Sequence, residues 1–192
     1  MTNQTLRQDI AFNAVVAGEK LRFLSTWGLF SPKAIDEGTT LLAAHMEIPK
    51  DAVVLDLGCG YGALGLAAAK LAPNGFVHMV DKDFVAVNYA QKNITHNNIP
   101  NARAYLSNGF DQIPPDTRFT TVISNLPAKI GHELLSIFLS DAYDRLQPGG
   151  RIYVVTISGL KEYMKRNLTA VFGNYDKLKQ SKTYTAAVAV RK

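Results

Sequence analysis

From Val53 to Ala69 the chain reads Val-Val-Leu-Asp-Leu-Gly-Cys-Gly-Tyr-Gly-Ala-Leu-Gly-Leu-Ala-Ala-Ala, and this stretch constrains the fold more than any other. The apolar run predicts a buried parallel strand, the glycines a tight turn, and the Ala/Leu run a helix. A strand-loop-helix unit of this kind presents backbone N–H groups to a ligand. Gly60, Gly62 and Gly65 satisfy the dinucleotide pattern G-x-G-x-x-G. If Gly60 opened the turn, the strand would run on through Cys59 and hold Asp56 inside a doubly covered sheet, where an unpaired carboxylate is costly. If the turn begins at Gly58, Asp56 lies at the strand's carboxyl end beside the ligand. An acid there repels a pyrophosphate and favours a ligand that carries an ammonium and a sulfonium. The residues thus favour S-adenosylmethionine over NAD.

Asp56-Leu57-Gly58-Cys59-Gly60-Tyr61-Gly62 is also similar to the first motif of class I S-adenosylmethionine-dependent methyltransferases. Phe30-Ser31 through Ile35-Asp36-Glu37-Gly38-Thr39, Val80-Asp81, Ser107-Asn108-Gly109-Phe110 and Ser124-Asn125-Leu126-Pro127 resemble one branch, the "methyltransferase small" domain of ribosomal RNA guanine-N2 methyltransferases. The resemblance runs from about residue 20 to the C-terminus. It implies an α/β, Rossmann-like, doubly wound fold with a mostly parallel seven-stranded sheet and a C-terminal antiparallel strand. It implies S-adenosyl-L-methionine as methyl donor, S-adenosyl-L-homocysteine as product, and ribosomal RNA or a ribosomal subunit as substrate. The cofactor-binding set it implies is Asp56, Gly58, Cys59, Gly60, Tyr61, Gly62, Asp81, Lys82, Asn108, Gly109 and Asn125; the catalytic set is Asn125, Leu126 and Pro127.

Methyl transfer from a sulfonium is an in-line displacement whose leaving group needs no acid, so alignment and electrostatics carry it, with the acceptor lone pair about 3 Å from the methyl carbon. An exocyclic amine has its lone pair delocalised into the ring. Two acceptors that bind its hydrogens pull the nitrogen toward tetrahedral geometry. In the resembling enzymes an Asn-Pro-Pro-aromatic tetrapeptide supplies the Asn oxygen and a backbone carbonyl, and the ring stacks on the base. Asn125 and Pro127 match that pattern; Leu126 and Ala128 do not. Leu126 still offers a carbonyl, so the hydrogen-bonding half is kept and the stacking half is missing. Protein-glutamine or small-molecule methylation, hydride transfer, and a non-catalytic S-adenosylmethionine- or RNA-binding module remain open alternatives.

A length of 192 residues with 47% apolar content fits a single domain. Residues 1–37 are expected as an N-terminal extension packed on a Rossmann-like core of residues 38–192. No window reaches the roughly 20 apolar residues of a membrane span, and Met1-Thr2-Asn3-Gln4 lacks a signal-peptide pattern. A soluble, cytoplasmic protein is expected, monomeric or weakly dimeric, with no membrane partner. The single cysteine, Cys59, excludes an internal disulfide and a cysteine zinc site. His45, His78, His96 and His132 lack ligand spacing, so no metal is expected. Net charge is +5, and from Lys161 onward eight basic residues face only Glu162 and Asp176. Such an end suits a polyanion such as RNA, or forms a plain solvated surface.

Along the chain, Thr5 to Ala17 is expected as an amphipathic helix, and Leu21 to Phe30 as two short strands around Trp27-Gly28. Phe23, Trp27 and Phe30 either stack on a base or pack inside. A helix is expected to start at Leu41. Phe76 to Val80 should deliver Asp81 to a ribose, with Asp83 capping the next helix. Ala102 to Leu106 should lead to Asn108, whose amide fits the adenine edge or makes an Asx turn. Phe119 to Ser124 should end at Asn125, followed by a helix from Gly131 to Leu146, a turn at Pro148-Gly149-Gly150, and a strand from Arg151 to Ile157. A helix from Leu160 to Phe172 closed by Gly173, and an antiparallel pair, Tyr175 to Gln180 with Thr183 to Val190, complete the chain.

Overall fold

The structure is a computed structural model that describes residues 8–126 and 131–192. Its strands are β1 (Ile10–Val16), β2 (Glu19–Ser25), β3 (Val53–Leu57), β4 (Phe76–Asp81), β5 (Ala102–Leu106), β6 (Phe119–Asn125), β7 (Leu146–Ile157), β8 (Asp176–Gln180) and β9 (Tyr184–Val190). The helices are α1 (Glu37–Ala43), α2 (Ala63–Leu71), α3 (Phe84–His96), α4 (His132–Arg145) and α5 (Lys161–Phe172). Seven strands form one sheet in the order β5-β4-β3-β6-β7-β9-β8, with β9 antiparallel to both neighbours and the other pairings of β3 to β7 parallel. The order reverses between β3 and β6, and ligands bind outside the strand ends at such a reversal.

Strand alternation divides the core into two layers. On one face Val54 packs with Leu66, Ala67 and Ala90 from α2 and α3, and with the β1–β2 hairpin. On the other, Leu55 and Leu57 pack with Leu135 and Leu139 of α4 and Leu168 of α5. The alanines of α2 allow this close approach: Ala67 and Ala68 are both 0% exposed. Gly173 closes α5 in the left-handed region at φ 72°, as the sequence predicts.

Four local expectations are corrected. Residues 10–16 form a strand instead of a helix, because Phe12, Ala14 and Val16 alternate toward the core and Ala17 (φ 52°) and Gly18 (φ 82°) make a tight reversal into β2. The stretch from Leu21 to Phe30 holds one strand end and a turn, with Leu29 N–H donating to Thr26 O. Helix α1 begins at Glu37, ahead of Leu41, because Asp36 caps it. Pro148-Gly149-Gly150 is absorbed into β7, since Gly149 donates to Arg191 O and Gly150 O accepts from Arg191 N–H.

The hairpin is held to the core by two asparagines one turn apart, Asn93 of α3 and Asn97, which caps its C-terminus. Asn97 Oδ1 accepts from Arg22 N–H at 2.9 Å while its Nδ2 donates to Arg22 O at 2.7 Å. Asn93 does the same with Leu24, at 2.7 Å and 2.9 Å. The i, i+4 spacing matches the two-residue step between like-facing backbone groups of a strand.

Candidate functional site

The glycine loop forms directly over the strand ends. Gly58 and Cys59 both donate their N–H to Val80 O at 2.9 Å, which ties the loop to β4. Gly58, Gly60 and Gly62 lie at φ 74°, 55° and 98°, a region that L side chains avoid. A Cβ on Gly58 or Gly60 would meet open space, whereas one on Gly62 would lie 2.5 Å from Met79 Cε and one on Gly65 2.8 Å from Asp56 Oδ2. The first two glycines therefore keep room clear above the sheet, and the last two let α2 sit down on β3 and β4. That division fits a bulky ligand lying over the loop, with the N-terminus of α2 below it.

Asp56 is 1% exposed and lies within β3, paired in register with Met79 and Ile123. Its Oδ2 accepts the Gly65 N–H at 2.7 Å. The carboxyl therefore sits beneath the loop, against the first turn of α2, and not at an open strand end. Burial pushes its pKa up to about 7, the Gly65 hydrogen bond opposes this, and the nearby Asp81 charge adds to it. Asp81, half-buried at the end of β4, accepts the Gly60 N–H on Oδ2 and the Asp83 N–H on Oδ1, each at 2.9 Å. One carboxylate thus fixes the glycine loop and the approach to α3 together. Asp83 caps α3 by accepting from Val85 N–H at 2.8 Å.

Cys59 is buried, and desolvation first, then Asp56 and Asp81, hold its thiol pKa well up. Only the thiolate is a nucleophile, so this thiol is inert. Tyr61 contributes its backbone to the loop and turns its ring inward against Phe12 and Phe23. Its hydroxyl donates toward the carbonyls of Ser31 and Ala34 at 3.2 and 3.3 Å, and burial pushes its pKa up. Lys82 and Asn108 are exposed at the ends of β4 and β5, and Ser107 N–H donates to Asp81 O at 2.9 Å. Gly109 packs closely on Phe138 at φ 59°.

Asn125 ends β6 half-buried, and its Nδ2 donates to Asp36 Oδ2 at 2.7 Å and to Thr39 Oγ1 at 3.0 Å. Asp36 is also the cap of α1, with Oδ1 accepting the Thr39 N–H at 2.8 Å. Leu126 continues the strand pairing through its N–H to Val155 O at 2.9 Å, and its side chain is 5% exposed. Pro127, Ala128 and Lys129 lie outside the described residues.

Two exposed apolar residues stand at this edge without a sequence signal that singled them out. Phe84 (70% exposed) and Leu106 (48%) form apolar surface beside Asp81, Leu106 being its register partner. Phe23 is buried in the core, while Trp27 and Phe30 are exposed and Lys33 stands over the Trp27 ring. The turn between β8 and β9, which carries Lys182, is tied to the same edge: Ser181 Oγ donates to Glu37 Oε1 at 2.6 Å, and Ser158 N–H to Thr183 O at 2.7 Å. His45 Nδ1 is satisfied by Leu41 O, and His78 Nδ1 by the Tyr105 hydroxyl. Among the described residues no group of His, Cys, Asp or Glu could hold a metal ion, and no helix is long and apolar enough to cross a membrane.

Comparisons with known proteins give the family and the fold. The family model of the methyltransferase small domain matches residues 20–187. The Bacillus subtilis (strain 168) protein YbxB is 31% identical over 134 residues, covering 69% of this chain and 67% of that protein. The ribosomal RNA small subunit methyltransferase C of Hamiltonella defensa is 33% identical over 168 residues, covering 84% of this chain and 48% of its own length. Among solved structures, the T. thermophilus 16S rRNA N2 guanine methyltransferase RsmC, in complex with AdoMet and guanosine, superposes with a TM-score of 0.87 at 28% identity, covering 96% of this chain and 51% of that one. The chain spans about half the length of the curated ribosomal RNA methyltransferases it matches.

Proposed function

The chain belongs to the methyltransferase small domain family, and from that premise we propose that it is an S-adenosylmethionine-dependent methyltransferase that modifies an exocyclic amino group, guanine N2 of ribosomal RNA. The observation that carries this is the orientation of Asn125, whose amide hydrogens are both directed at α1 and whose carbonyl oxygen therefore faces the other way.

The residues present fit the cofactor. Open space over Gly58 and Gly60 accommodates the methionine portion, Asp81 retains lone pairs for the ribose hydroxyls, and Leu106 with Asn108 offers an apolar and a polar border for adenine. The cofactor, when bound, supplies an electrophilic methyl group on a sulfonium. The chain's own residues then align and polarise. Asn125 Oδ1 accepts one hydrogen of the amine and the Leu126 backbone carbonyl accepts the other, which frees the nitrogen lone pair. On transfer of that methyl group the amine would give up its proton to solvent, and the departing thioether would need no acid from the chain. Lys182, tied beside α1, and the exposed Lys177 and Lys179 of β8 suit an RNA phosphate backbone. A cytoplasmic location follows from that substrate.

Incubation with methyl-labelled S-adenosylmethionine and undermethylated ribosomal subunits, followed by nucleoside mapping, tests the proposal. Label in N2-methylguanosine is expected; label in a protein glutamine or a small molecule transfers the activity to those acceptors, and none at all leaves a non-catalytic module.

A further inference from the structure

We infer that Asp36 is a positioning residue that sets which end of the Asn125 amide faces the acceptor amine; the inference rests on the methyltransferase function proposed above. A side-chain amide is nearly symmetric in shape, and its two orientations present opposite hydrogen-bonding character. Only one of them can orient an amine, the one that offers oxygen. At position 125 that choice is made by a carboxylate, which accepts and cannot donate, 2.7 Å from Asn125 Nδ2.

Thr39 completes the arrangement. Its hydroxyl donates to Asp36 Oδ2 at 3.0 Å and so has only lone pairs left for Asn125 Nδ2, at 3.0 Å. Both neighbours of the amide nitrogen are therefore acceptors. The backbone gives Asp36 its own fixed place, because the same carboxylate caps α1 through the Thr39 N–H, and the Asp36 carbonyl accepts from Thr40 N–H and Thr40 Oγ1. Tyr184 closes the other side, its ring 2.8 Å from where a Cβ on Gly38 would stand, so α1 cannot shift inward without displacing it.

Asp36→Asn separates this role from simple structure. Asparagine caps a helix about as well as aspartate, so α1 keeps its cap. Its new NH2 group, however, faces the NH2 of Asn125, and the conflict is relieved when Asn125 turns over, its oxygen toward the introduced amide and its hydrogens toward the acceptor amine. Asp36→Asn should keep the thermal midpoint and S-adenosylhomocysteine affinity of the wild type and lose roughly 100-fold in single-turnover transfer, the scale of one lost positioned partner. Asn125→Asp alone sets two carboxylates against each other. The double variant Asp36→Asn/Asn125→Asp restores one donor, one acceptor and a free oxygen toward the amine, and should recover to within about tenfold of wild type, a strongly non-additive cycle.

The side-chain amide resonances of Asn125 give a readout that needs no turnover. In the wild type its NH2 protons should be protected from exchange, and in Asp36→Asn that protection should be lost. Loss of protection together with rescue in the double variant upholds the inference. Unchanged protection in Asp36→Asn, or additive losses in the cycle, overturns it. A wild-type protein that methylates no RNA defeats the proposed function, while the resonances still decide the geometry.

Discussion

Asn125 Nδ2 lies 2.7 Å from Oδ2 of Asp36, a residue 89 positions earlier in the chain, and this bond joins the end of a central strand to the cap of α1. A strand-terminating asparagine with its amide spent on a turn would bond to its own neighbours. Asn125 instead reaches across to an element that enters the fold before the sheet begins. The segment from Ser31 to Thr39 is thereby part of the site on two counts, since Tyr61 of the glycine loop also anchors to the carbonyls of Ser31 and Ala34.

Asp81 should be needed for cofactor binding. Its oxygens hold the Gly60 and Asp83 N–H groups, and its remaining lone pairs are proposed to take the ribose hydroxyls. Asp81→Ala is expected to weaken S-adenosylmethionine and S-adenosylhomocysteine by ~1.5–3 kcal/mol, the range for a charged acceptor. Titration calorimetry measures this directly. Binding of NADH without S-adenosylhomocysteine would contradict the assignment.

Asp56 should give stability a pH dependence of unusual sign for a carboxylate. Its pKa is raised from 3.8 to about 7, burial being the largest cause, so between those values the folded chain holds a proton that the unfolded chain has lost. Stability contributed by this group is therefore complete at low pH, declines as pH rises through that window, and levels off above it. Asp56→Asn keeps an acceptor for Gly65 N–H and removes the titration. Urea unfolding at about pH 5 and about pH 8 should show the wild type losing on the order of 2–3 kcal/mol more than the variant over that interval. Equal pH dependence in the two proteins would contradict it.

Asn93 should be the main tie between the N-terminal hairpin and the glycine loop. It is 0% exposed, exchanges two hydrogen bonds with Leu24, and donates a third to Tyr61 O at 2.9 Å. Asn93→Leu keeps the branched side-chain shape and leaves the buried Tyr61 O and the part-buried N–H and O of Leu24 without their partner, a cost of roughly 1–3 kcal/mol for a fully desolvated group and less for the other two. A lower urea midpoint is expected, with hydrogen-exchange protection lost first in β2. Protection that stays uniform across β2 and β3 would show that Asn93 is not the main tie.

The central unit was legible because strand, turn and helix each carry their own local signature, and Val53–Leu57 and Ala63–Leu71 form where the glycines predict. Its chemistry was less so. Asp56 is not beside an open strand end but buried, since the same α2 that gives the loop its direction also brings the Gly65 N–H to it. The N-terminal strand departs from the helical expectation because Leu6, Ile10, Asn13 and Ala17 share a helical spacing while Phe12, Ala14 and Val16 share a strand spacing. Pairing with β2 and the packing of Phe12 on Tyr61 decide between them, and no local pattern reports those contacts. Asp36 looks like any helix-capping acid in sequence. Its partner is fixed only by folding, as are those of Asn93 and Asn97.

The most direct test of the whole account is single-turnover methyl transfer to an RNA substrate by Asn125→Ala at saturating S-adenosylmethionine. Removing the amide leaves the glycine loop, Asp56 and Asp81 untouched, so cofactor affinity should stay close to that of the wild type. The rate of transfer should fall by roughly two orders of magnitude or more, as expected when a positioned acceptor acts only in the transition state. A wild-type rate from Asn125→Ala would contradict the amino-directed mechanism.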